Sequence, residues 1–238
     1  MKKRLIAIAF LLSFSLLIGC EPKENGKTTG AVPTSESPAV PSQENCSEND
    51  EPKVTFAPAK PVIYLYPQSR TEVEVRLDFN GRLTCTYPHY NGAWRVTAET
   101  DGTLINHEDG REYSYLYWEG VTDVQFDMSR GFVVKGEETA AFLQEILPKI
   151  GLTPREYNEF IVYWLPQMQN NAYNLITFQT ELYTENARLT VTPSPDSMLR
   201  VFMVYQALEA PIEIEEPVIE PFVREGFCVV EWGGAEYK

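Results

Sequence analysis

Glu72-Val-Glu-Val-Arg-Leu77 sets Val73, Val75 and Leu77 on one side of an extended chain and three charged residues on the other. That period of two is the mark of a strand with one face in a core and one in water. Four turn dipeptides follow it: Asn80-Gly81, Asn91-Gly92, Asp101-Gly102 and Asp109-Gly110. Their spacings of 11, 10 and 8 residues suit tight hairpins, so an antiparallel meander is expected through about Tyr117. Upstream, Pro61-Val-Ile-Tyr-Leu-Tyr-Pro67 is a further strand candidate bounded by prolines.

Downstream the period changes. Ala140, Leu143, Ile146, Leu147 and Ile150 fall on one helical stripe, and Gly151 supplies a stop. Thr153-Pro-Arg-Glu156 reads as a capping box with proline at the first helical position. Tyr157, Phe160, Ile161 and Trp164 form the next stripe, which Pro166 should end or kink. Strands then return at 174–180, 188–192, 198–205 and 227–231, with 198–205 apolar enough to be central. The fold class is therefore α+β: a sandwich-like antiparallel meander, a helical hairpin, then further strands. The folded head is expected over 60–238, with a β-rich part at 60–127 and an α+β part at 128–238.

The N-terminal region carries an address. Lys2, Lys3 and Arg4 precede an uncharged run from Leu5 to Ile18. That run is shorter than the roughly 20 residues a spanning helix needs, so it reads as a secretory signal. Leu17-Ile-Gly-Cys20 looks like a bacterial lipobox: residues 1–19 would be removed and the Cys20 thiol would receive a diacylglycerol. Two or three acyl chains give stable anchoring where one does not. Residues 20–59, rich in Pro, Ser, Thr and Glu before residue 54, read as a disordered tether that holds the head off a membrane. The expected location is the extracytoplasmic face of the cell membrane.

Composition excludes several classes. The 238 residues are 43% hydrophobic and 23% charged, ordinary for a globular protein. Thirty-four acids against 20 bases leave a net charge of -14, which argues against a nucleic-acid partner. There is no Walker loop, no G-x-S-x-G elbow and no H-E-x-x-H, and nothing calls for a cofactor. His89 and His107 sit beside turns and read as surface residues, so no metal site is expected; no regular calcium loop exists either. Beyond Cys20, Cys46 lies in the tether. Cys85 and Cys228 lie in expected strands, as a disulfide or as two buried thiols.

Aromatic residues give the functional hint. From Lys60 onward there are 26 Phe, Trp and Tyr in 179 residues, several of them clustered. Tyr113, Tyr115 and Tyr117 share one face of a strand, and Leu116 and Trp118 share the other. One face covers a core; the second is either an exposed aromatic platform able to stack on sugar rings, or part of the core too. Tyr115, Tyr117, Trp118 and Trp232 are the candidate ligand-binding residues. Trp118-Glu119-Gly120 and Glu231-Trp232-Gly233-Gly234 each set a Glu against a Trp and a Gly. Glu119 and Glu231 are thus candidate catalytic carboxylates if they lie about 5–10 Å apart. The alternative for either Glu is a structural pair with Arg200 or Arg224.

The runs at 60–67, 115–120 (Tyr-Leu-Tyr-Trp-Glu-Gly), 160–166 (Phe-Ile-Val-Tyr-Trp-Leu-Pro), 200–205 and 230–234 together resemble a bacterial family of secreted or lipid-anchored proteins. The family is of unassigned activity, and the likeness spans about Lys60 to Glu236. It implies a shared fold and an exported location, and transfers no catalytic residue. Tyr117 stands where other members have Phe. The sequence reading is a membrane-anchored lipoprotein with a binding head, glycan being the preferred ligand. A cell-envelope hydrolase using Glu119 and Glu231 is the alternative, and an envelope assembly protein is the third.

Overall fold

The computed structural model describes residues 58–238. The expected signal, Cys20, Cys46 and the expected tether up to residue 57 lie outside the described residues, and Ala59, expected in the tether, is the first residue of a strand. The head is α+β, built as three layers: a five-stranded sheet, a seven-stranded sheet and a pair of helices. In chain order the elements are β1 (Ala59–Tyr66), β2 (Thr71–Phe79), β3 (Arg82–Tyr87), β4 (Trp94–Ala98), β5 (Leu104–Asn106), β6 (Glu112–Tyr113), β7 (Leu116–Val121) and β8 (Phe132–Lys135). Then come α1 (Thr139–Ile150), α2 (Pro154–Met168), β9 (Tyr173–Gln179), α3 (Glu181–Asn186), β10 (Ala187–Thr192), β11 (Ser197–Leu208) and β12 (Cys228–Glu236). The large sheet runs β3-β7-β1-β12-β11-β9-β8 and the small one β10-β2-β4-β5-β6.

The large sheet is the middle layer, so its central strands are buried on both faces and read as unbroken apolar runs. In β1, Ile63 and Leu65 enter the core between the sheets, while Val62 and Tyr64 face the helices. The same division holds in β11, with Phe202 and Val204 on one side and Val201 and Met203 on the other. The small sheet has one solvated face, so β2 keeps the alternation that Val73, Val75 and Leu77 predict.

The meander holds for β2, β4, β5 and β6, which are antiparallel neighbours in that order. Asn80-Gly81 departs from it. The chain leaves the small sheet there, and β3 pairs with β7 in the large one. Asn80 is instead tied to Asn186 through a backbone bond of 2.7 Å and a side-chain bond of 2.9 Å. A Cβ on Gly81 would come within 2.4 Å of the Val121 carbonyl oxygen, so glycine permits a close crossing. The β-rich and α+β parts are not separate bodies, because β1 pairs with β12 and β2 with β10.

Both helices start, and α1 stops, as the sequence indicates. Gly151 closes α1 at φ +123, and Glu156 Oε2 accepts from the Thr153 N–H at 2.8 Å. Pro166 does not end α2, which continues to Met168. The carbonyl that would have bonded to its missing N–H belongs to Val162, a residue 75% exposed and open to solvation. β8 and α3 leave no mark in the sequence, since both are too short to show a period. Cys85 is exposed on β3 and Cys228 buried on β12, two strands intervene, and both are free thiols. The expectation of two buried thiols thus fails for Cys85, which lies on an edge strand. His89 and His107 are exposed, as expected.

Candidate functional site

β7 divides its side chains cleanly between two environments. Leu116 and Trp118 enter the core between the sheets and are fully buried. Tyr115, just before the strand, and Tyr117 and Glu119 on it alternate onto the opposite face and stay half-buried. That face is the one on which the helices lie, yet no fully buried residue of β3 or β7 belongs to the helix-side core. The edge of the sheet therefore projects past α2 and leaves its tyrosines at the surface.

α2 closes one side of this ledge with Tyr163, also half-buried. Lys60 lies at the centre. Its Nζ is 5.2 Å from the Tyr115 ring centroid, 5.8 Å from Tyr117 and 5.9 Å from Tyr163, and it donates to the Tyr115 hydroxyl at 3.4 Å. All three rings lie within cation–π range of the ammonium, which meets Tyr115 at its hydroxyl end. Glu119 Oε1 accepts from the Lys60 backbone N–H at 3.3 Å. Burial, with the Glu119 carboxylate beside it, pushes the Tyr117 phenol above its ordinary range; Tyr163 is raised by the same two causes. Tyr64 meets Tyr115 edge-on at 5.4 Å and donates to Glu159 Oε2 at 2.9 Å. The result is an aromatic, proton-bearing ledge with two flanking carboxylates and one ammonium.

The Glu–Trp seam has a different character. Glu231 is fully buried between the sheets, accepting from Trp118 Nε1 at 3.0 Å and from Arg200 Nε at 2.6 Å. The Arg200 guanidinium rests 4.7 Å over the Tyr183 ring, which stacks on Phe202 at 4.1 Å. Burial works against the Arg200 charge, but Glu231 outweighs it and holds the guanidinium protonated. Trp118 and Glu231 therefore do come together, as a structural tie.

Three candidate residues are corrected by this geometry. Trp118 and Trp232 have no exposed surface and cannot stack on a ligand. Trp232 faces the helices, where it meets Phe160 at 5.3 Å, because it alternates with Glu231 along β12. Glu231 is consumed by Arg200. Glu119 and Glu231 are not paired either. Leu116, Ile63 and Glu231 stand in one row across β7, β1 and β12, and Glu119 lies three residues beyond Leu116. At ordinary strand spacing and rise their Cα atoms are about 14 Å apart, with side chains on opposite faces. That is no glycosidase geometry for this pair.

Tyr115, Tyr117 and Glu119 do share a site, joined by Lys60 and Tyr163. In the sequence Tyr163 stands out only as part of the 160–166 run, and Lys60 has no local signal, because its neighbours lie 55 to 103 positions away. A separate cleft of about 480 Å³, lined by Ile150, Phe178, Leu199, Val218, Ile219 and Phe222 among others, lies under the 209–226 connection. Among the described residues, no cluster of three or more His, Cys, Asp or Glu is placed to hold a metal. No helix among them is long and apolar enough to cross a membrane.

A stretch of 64 residues, 26% of the chain, is 50% identical to a Butyrivibrio fibrisolvens protein described as an uncharacterized protein in the bglA 3' region. The match covers 65% of that protein's length. No family model and no solved structure matches the chain.

Proposed function

We propose that the chain is an exported lipoprotein, anchored in the membrane through Cys20, whose head is a binding module for glycan. The observation that carries the reading is the half-buried surface of Tyr115, Tyr117 and Tyr163 with the Glu119 carboxylate at its rim. Tyrosine offers a rigid apolar plane for the C–H face of a sugar and a hydroxyl at its edge. A carboxylate next to it accepts sugar hydroxyls. The short apolar N-terminal run ending in Gly19-Cys20 supports export and lipidation. A hydrolase built on Glu119 and Glu231 has no support, since the two are on opposite faces.

The test is sedimentation of the mature chain with insoluble envelope polysaccharide. Tyr115→Ala combined with Tyr117→Ala should weaken binding by about fivefold to 150-fold, given roughly 0.5–1.5 kcal/mol for each aromatic contact. The melting temperature should fall little, because both rings are half-exposed. Unchanged binding by this variant would contradict the proposal.

A further inference from the structure

Lys60 is the one described non-glycine residue with a positive φ, at +60. Side chains with a Cβ rarely adopt that conformation. The β1–β12 register also shifts between Ala59 and Val62, so the strand bulges where Lys60 sits. The distortion turns the side chain onto the helix-side ledge, where three tyrosine rings surround its ammonium at 5.2, 5.8 and 5.9 Å. Two rings come from the β7 segment and one from α2. Rings converging on one ammonium from two separate elements are the arrangement by which proteins recognise organic cations.

We propose that Tyr115, Tyr117 and Tyr163 form a cage for an organic ammonium ion, that Lys60 is its resident occupant, and that the amine of an amino sugar displaces it. The cage stands on ring geometry; the choice of an amino sugar rests on the glycan reading above. Several features fit a cationic ligand. Glu119 lies beside Tyr117 and Tyr163, and Glu159 lies one helical turn before Tyr163, so the rim is negative. The whole chain carries a net charge of -14, which draws cations toward the surface and repels anionic polymers. The occupant is also built to leave. The Lys60 side chain can swing out by rotation about its own bonds, while Ala59 and Val62 to Tyr66 keep β1 paired with β12.

Calorimetric titration of the full mature chain with tetramethylammonium, glucosamine and N-acetylglucosamine tests the proposal. Lys60→Ala empties the cage, so it should bind tetramethylammonium and glucosamine at least tenfold more tightly than the unsubstituted chain. N-acetylglucosamine, which has no charge, should gain nothing. Adding Tyr163→Ala to Lys60→Ala should remove the gain, and Lys60→Gly, free of backbone strain, should reproduce it. No tetramethylammonium binding by either Lys60 variant would overturn the cage, as would binding that survives Tyr163→Ala. If tetramethylammonium binds but glucosamine gains no more than N-acetylglucosamine, the amino-sugar assignment falls. Tyrosine-dependent polysaccharide binding without any ammonium binding would overturn the cage and leave the glycan reading in place.

Discussion

Glu231→Ala is expected to lower the unfolding free energy by about 3–5 kcal/mol, the usual cost of leaving a buried charge without its partner. Glu231 is fully buried and the Arg200 side chain is 6% exposed, so water cannot replace the lost carboxylate. Trp118 Nε1 loses its acceptor at the same time. For a head of this size the melting temperature should fall by roughly 10 °C. Glu231→Leu with Arg200→Met removes both charges and should recover much of the loss, which a double-mutant cycle by chemical denaturation would measure. A fall of only a degree or two for Glu231→Ala would contradict a structural role.

Glu156→Ala should have the second largest effect, about 2–4 kcal/mol, from one cap bond and a charged pair lost together. Glu156 is fully buried at the first turn of α2. Its Oε2 caps Thr153 N–H and pairs with Arg224 Nη2, while Oε1 accepts from Arg224 Nη1 at 3.0 Å. Arg224 also donates to the Gly151 carbonyl at 2.8 Å, pinning the 209–226 connection to the turn between the helices. Losing the carboxylate should both lower the melting point and speed proteolysis within residues 217–224. Glu156→Gln, which still accepts the cap bond, should lie between the two. Proteolysis unchanged in Glu156→Ala would show that other contacts hold the connection.

Much of the fold was legible because its signals are local. The alternation in β2, the stripes of α1 and α2, the Gly151 stop and the Thr153–Glu156 cap each lie within one element. The division of strands between two sheets was not, because Asn80-Gly81 reads as a hairpin whichever partner β3 takes. The close packing of Gly81 against Val121 permits the crossing to the large sheet, and no spacing reveals it. Pro166 allows either an end or a kink for a similar reason: its cost depends on whether the freed carbonyl reaches solvent.

The candidate site was half legible. The alternation of Tyr115, Leu116, Tyr117 and Trp118 predicts two faces, but only the third layer decides which one meets water. Because a second sheet covers the Trp118 side, the tryptophans that look most like ligand stackers are core residues. Lys60 carried no local signal, since its role comes from a bulge and from rings far away in the chain.

Hydrogen exchange of the mature chain, with and without soluble envelope polysaccharide fragments, tests the central claim most directly. The account predicts slowed exchange in peptides covering Lys60, 115–119 and 160–165, where the tyrosine ledge is built. Protection confined to 197–202 and 217–222, the walls of the separate cleft, would contradict it.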